Sequence, residues 1–187
     1  DYVFGFGDPA AGSRYVLLTG DWNADGIDTV GLYDRLTAQW YLRDSNTQGY
    51  ADISFGYGVP NSTWTPLVGD WNGDGRDTVG FYDADHAIYY LRNTNDTGYA
   101  DRTFGYGVPG SAWTPVMGDW DGSSTATIGF YDQASSHWHL RNSNDQGVAD
   151  KNFGFGASAQ GWLPIVGNWA GTTGAPFLTT DGVRTLN

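Results

Sequence analysis

One stretch of this chain is written four times. Gly20-Asp-Trp-Asn-Ala-Asp-Gly-Ile-Asp-Thr-Val-Gly-Leu-Tyr-Asp34 returns as Gly69–Asp83, again as Gly118–Asp132, and in worn form as Gly167–Asp181, 49 residues apart each time. A Leu-Arg pair recurs at Leu42, Leu91 and Leu140. A Phe-Gly-Tyr/Phe-Gly string begins at Phe55, Phe104 and Phe153, with a further copy at Phe4–Gly7. A period near 50 residues means units that cannot bury their faces alone and must stack on one another.

Composition decides what each unit is made of. All 21 acidic residues are Asp, Lys151 is the only lysine, and there are 28 Gly and 1 Met. Asp and Gly are turn residues, and the straight-chain helix formers are scarce. Nine Trp and twelve Tyr favour strands. The second unit reads as four short strands, at 66–71, 78–83, 87–92 and 101–105, separated by turn-rich stretches. The fourth unit supplies only three, at 163–169, 175–181 and 183–187. The segment 2–7 offers the missing one. The expectation is therefore an all-β chain, a single four-bladed propeller domain over residues 1–187. Its blades are 15–58, 64–107, 113–156, and 162–187 together with 1–7. The N-terminal strand would complete the last blade and leave no open edge.

The formal charge of −12 argues against a nucleic-acid partner. No apolar run is long enough to span a bilayer as a helix. Zero Cys excludes disulfides and thiolate chemistry. Most of the Asp residues fall at repeated positions, which ties the charge to the scaffold more than to a cationic partner.

The segment Asp21-x-Asn23-x-Asp25-Gly26-x-Asp28 places oxygen side chains at positions 1, 3, 5 and 8, and the carbonyl of Ile27 lies between them. Calcium takes six to eight oxygens, and a curled loop can supply several from one short stretch. Asp70, Asn72, Asp74, Arg76 (by its carbonyl) and Asp77 repeat the pattern. The third loop has Ser123 and Ala126 at positions 5 and 8, and the fourth has lost the ligands, so two calcium sites are expected at most. The competing reading is that these Asp residues form Asx turns between strands.

These loops and the Phe-Gly pairs at Phe55, Phe104 and Phe153 resemble the FG-GAP (VCBS, integrin α-like) propeller repeats, over essentially the whole chain. The resemblance implies calcium in the loop between the first two strands of a unit. Two features depart from it. The last acid sits at position 8, with Thr29 and Thr78 at position 9, and the expected blade number is four where seven is common.

A second set of residues suggests a ligand surface. Trp64, Trp113 and Trp162, with Tyr15 as counterpart, fall in the connections between units. The turn carrying Asp34, Asp83, Asp132, His86 and His137 lies on the same rim. Aromatic plates beside polar groups suit sugar rings, while the alternative is that each Trp plugs the gap between units. No nucleophile elbow or metal-binding His motif occurs, and a single active site would stand out against the repeat. The sequence therefore predicts a non-catalytic, secreted or cell-surface, monomeric module with calcium-stabilised loops, most readily carbohydrate-binding. The alternative is a protein-binding or structural domain of a bacterial surface protein or secreted hydrolase.

Overall fold

The computed structural model describes residues 3–7 and 9–167. A 3-10 segment, Pro9–Arg14, leads into three four-stranded antiparallel sheets. Sheet 1 holds β1 (Tyr15–Gly20), β2 (Thr29–Asp34), β3 (Gln39–Leu42) and β4 (Ile53–Gly56). Sheet 2 holds β5 (Thr65–Gly69), β6 (Thr78–Asp83), β7 (Ile88–Leu91) and β8 (Arg102–Gly105). Sheet 3 holds β9 (Thr114–Gly118), β10 (Thr127–Asp132), β11 (His137–Leu140) and β12 (Lys151–Gly154). Each is a simple meander, and the sheets follow one another with β1 beside β5 and β5 beside β9.

The register repeats with the sequence. Gly31 pairs with Leu42, Gly80 with Leu91 and Gly129 with Leu140. These glycines make room: a Cβ on Gly31 would stand 3.0 Å from both the Leu42 side chain and the Trp22 ring. Trp22, Trp71 and Trp120 are buried there, the first two almost completely. The nearest atoms to a Cβ on Gly20 would include Val68 of the next sheet, so this Trp position packs where two sheets meet. Alternation along β2 and β6 sends Tyr33 toward sheet 2, where Phe81 meets it edge-on at 5.1 Å. Tyr82 and Phe130 repeat that contact between sheets 2 and 3, also at 5.1 Å. Each mixed core thus joins one sheet to the next.

The four-bladed closed propeller is overturned. The described residues form three separate four-stranded sheets, none of them closed or curled. Residues 3–7 belong to no strand, nor do residues 161–167, where the fourth unit was expected to begin. The expected strands at 175–181 and 183–187 lie outside the described residues. The strand arithmetic failed because Phe4–Gly7 copies more than an edge strand. Gly7, with φ +100, sits against Leu32, as Gly58 (φ +111) sits against Phe81 and Gly107 (φ +104) against Phe130. Those positions need φ > 0 and have no room for a side chain. The N-terminal copy therefore behaves as the passage from one unit into the next, laid on sheet 1.

Candidate functional site

Two constellations carry chemistry: the acidic loops after β1, β5 and β9, and the aromatic residues where one sheet passes to the next.

In the first loop both carboxylate oxygens of Asp21 accept backbone N–H groups, from Asp25 at 3.0 Å and Gly26 at 2.7 Å. Asn23 Oδ1 accepts the Asp25 N–H at 3.1 Å, and Asp25 Oδ1 accepts that of Ile27 at 2.9 Å. The second loop repeats this design. Asp70 takes the N–H groups of Gly73, Asp74 and Gly75 at 2.7–3.1 Å, and Asp74 takes that of Arg76 at 2.9 Å. The Asn72 side chain bridges to Asp74, whose carboxyl is held below its ordinary range by that bond first and the Arg76 N–H second. The third loop, with Ser123 and Ala126 in place of acids, closes the same way around Asp119. Asx turns thus account for the loop shape in all three.

In the second loop the eighth position makes its contact outside its own loop. Asp77 Oδ2 accepts the Asp21 N–H of the preceding loop at 2.9 Å, while the Asp77 N–H donates to the Asp21 carbonyl at 2.8 Å. Arg76 donates to the Trp22 carbonyl at 2.6 Å. Asp77 is a clasp between units. Burial raises its carboxyl to about 6. The Asp21 N–H opposes that rise, and the charges of Asp28, Asp21 and Asp70 add to it. Position 9 belongs to the sheet: Thr29 and Thr78 donate their hydroxyls to the Arg43 and Arg92 carbonyls. The loop oxygens are hard donors of the kind calcium takes. Among the described residues, however, no three acidic or histidine side chains converge as a cage. The oxygens at the first five positions suit the ion by type; Asp77 reaches the neighbouring loop.

The repeated arginines hold loops of their own unit. Arg43 bonds the Tyr50 carbonyl, Ser45, Thr47 and Asp52, and Arg92 and Arg141 hold the equivalent loops through Asp96 and Asp145. The tips they hold expose Tyr50 (94%), Tyr99 (93%) and Val148 (82%), one per repeat.

The rim carboxylates are spent on the β2–β3, β6–β7 and β10–β11 turns. Asp34 accepts the Leu36 N–H and the Thr37 hydroxyl and pairs with Arg14, whose hydrogen bond is the largest cause holding its carboxyl down at about 2. Asp83 takes the Asp85 N–H and the His86 ring at 2.7 Å. Asp132 takes Ala134 and Ser135, and His137 reaches the Ser135 carbonyl.

The aromatic connections differ among themselves. Trp64 stacks on Tyr90 with ring centroids 4.6 Å apart and 14° between planes. Trp113 stacks on His139 with the same separation and angle, and burial lowers the His139 pKa, with the His137 charge second. Both also touch the phenylalanine beneath, Phe81 or Phe130. The corresponding pair on sheet 1, Tyr15 and Tyr41, stands 6.5 Å apart at 83°. Trp162 is 54% exposed. These stacking partners on the third strand escaped the sequence reading. Their signal was the fixed offset from each connection aromatic to Tyr41, Tyr90 and His139.

No family model, curated protein or solved structure matches this chain.

Proposed function

We propose that this chain is a non-catalytic binding module that recognises carbohydrate outside the cell, built on FG-GAP-like repeats. The observation that carries this reading is how the polar groups are used. Asp34, Asp83 and Asp132 fold turns, Asp21, Asp70 and Asp119 fold loops, and Arg43, Arg92 and Arg141 hold loop tips. Each group serves the same role in each repeat, as a scaffold requires and a single catalytic centre does not. Aromatic side chains remain at the connections, and an aromatic face stacks on the C–H face of a sugar ring. A glycan array probed with and without calcium tests the reading. Binding to a defined class of glycans is expected. Blank arrays under both conditions would reject it.

Calcium belongs to the same proposal, through Asp21, Asn23 and Asp25 in the first loop and Asp70, Asn72 and Asp74 in the second. Its support is the donor type and spacing. Calorimetric titration with calcium should release heat and raise the melting temperature. No heat and no shift would remove the ion from the account.

A protein-binding role is the second reading, favoured by the exposed row of Tyr50, Tyr99 and Val148. It predicts that replacing all three by Ser abolishes attachment to a cell surface stripped of its glycans. Attachment that survives the replacement counts against it.

A further inference from the structure

We infer that the first repeat carries a ligand slot, lined by Tyr15 and Tyr41, that takes a single hexopyranose ring. The inference rests on the carbohydrate reading and gives it one address in place of three equivalent rim sites.

The slot is a cavity of about 530 Å³ on the face of sheet 1 turned away from sheet 2. Phe6, Tyr15, Leu32, Tyr41, Gln48 and Tyr50 are among the residues that line it. That volume lies in the range of small-molecule sites. Two things set it apart from the same positions in repeats 2 and 3: the preceding sheet covers Phe81 and Phe130 while no described sheet precedes sheet 1, and three residues differ. Tyr15 stands where Trp64 and Trp113 stand, Leu32 where Phe81 and Phe130 stand, and Phe6 where Tyr57 and Tyr106 stand in the Phe-Gly string.

Each change removes filling. Trp64 and Trp113 reach their strand-three partners and stack at 4.6 Å, whereas the shorter Tyr15 meets Tyr41 only edge-on at 6.5 Å. Phe81 and Phe130 occupy the space under the Trp in repeats 2 and 3, and Leu32 has no ring to match them. Tyr57 and Tyr106 donate their hydroxyls to the Tyr90 and His139 carbonyls and tie the passage down. Phe6 has no hydroxyl to donate. The connection is also longer here, with seven residues between Gly7 and Tyr15 against five between Gly58 and Trp64. The result is an exception to the repeat, which is where a single site belongs.

The lining sets the chemistry. Aromatic walls offer stacking faces, and the Gln48 amide and the tyrosine hydroxyls offer both donors and acceptors for ring hydroxyls. Of the charged groups beside the lining, Arg14 pairs with Asp34 and lies 5.4 Å from the Tyr15 ring centre, and Arg43, which lies against Gly49 and donates to the Tyr50 carbonyl, pairs with Asp52. An uncharged polyol with one apolar face matches this better than an ionic ligand does.

The test is calorimetry of the full chain with a panel of methyl hexopyranosides and N-acetylhexosamines, with p-nitrophenol as a flat aromatic probe. The double variant Tyr15→Trp, Leu32→Phe refills the slot with the residues of repeats 2 and 3. It should keep or raise the melting temperature and lose sugar affinity by about tenfold or more, the scale of one lost stacking contact. Gln48→Ala, at an exposed loop position, should weaken binding severalfold with an unchanged melting temperature. A folded double variant that binds sugar as the wild type does would overturn the slot and leave the carbohydrate reading standing. So would unchanged affinity in Gln48→Ala if the double variant fails to fold. A wild type that binds none of the sugars would sink both claims, and one that binds p-nitrophenol alone would overturn the pyranose assignment.

Discussion

The passage between sheets 1 and 2 and the free face of sheet 1 use the same repeated positions to opposite effect. In the passage Trp64, Tyr90 and Phe81 meet ring to ring, with Tyr33, Trp40 and Tyr57 closing round Phe81. On sheet 1 the equivalent Tyr15, Tyr41 and Leu32 leave a cavity beneath Phe6 and Gly7. A repeat therefore fixes the address of a side chain without fixing its job. Filled and covered by the preceding sheet, the position is structural; with smaller residues and no described sheet before it, the position on sheet 1 lines a cavity.

The largest effect should come from emptying the closed passage. Phe81→Ala removes a fully buried ring packed by four aromatic neighbours, and should cost about 3–5 kcal/mol in urea denaturation. Leu32→Ala on the open face should cost about 2 kcal/mol, since its surroundings are looser. Equal losses would show that the two regions are packed alike, and the comparison would break.

A smaller effect separates the β2–β3 turn from its counterparts β6–β7 and β10–β11 in sheets 2 and 3. Only Asp34 pairs with an arginine; Asp83 has His86 and Asp132 has Ser135. Its carboxyl is depressed to about 2, so its contribution is present above the ordinary carboxylate pKa and is lost as pH falls through about 2. Asp34→Asn should cost on the order of 1 kcal/mol at neutral pH, discounted because Arg14 is partly exposed, and flatten the acid limb of the stability profile. An unchanged acid limb would remove the pair from the account.

The smallest effect has the opposite sign and compares the two inter-sheet clasps. The backbone bond recurs, from Asp77 to Asp21 and from Ala126 to Asp70, but only the first carries a carboxylate. The raised Asp77 carboxyl stabilises the fold below its unfolded pKa, and that contribution is lost as pH rises through about 6. In calcium-free buffer Asp77→Asn keeps an acceptor for the Asp21 N–H and should stabilise the chain at pH 7 by under about 1 kcal/mol. The gain should vanish near pH 4. A loss at pH 7 would mean that the charge itself is needed.

Much of this was legible in the repeat. The second strand of unit two, Thr78–Asp83, falls where alternation and turn residues place it, and its neighbours differ by a residue or two at their ends. Trp22, Trp71 and Trp120 recur beside the acidic loops even where the third loop loses acids, and all three are buried. Three things were less legible, each for a physical reason. Closure was inferred by counting strands, and a Phe-Gly string serves equally as an edge strand or as a passage laid on the next sheet. The bond from Asp21 to Asp77 was hidden because spacing along a chain says nothing about a neighbouring unit 56 residues away. The slot was missed because the reading sought what recurs, and Tyr15 and Leu32 matter for how they depart from it.

The most direct measurement is an NMR titration of the isotope-labelled chain with a methyl hexopyranoside that the array identifies, following aromatic and side-chain amide resonances. The account predicts shifts centred on Phe6, Tyr15, Tyr41 and the Gln48 amide, with Trp64, Tyr90, Trp113 and His139 unmoved. Shifts spread evenly over the three Trp/Tyr connections, or absent from Tyr15 and Tyr41, would contradict it.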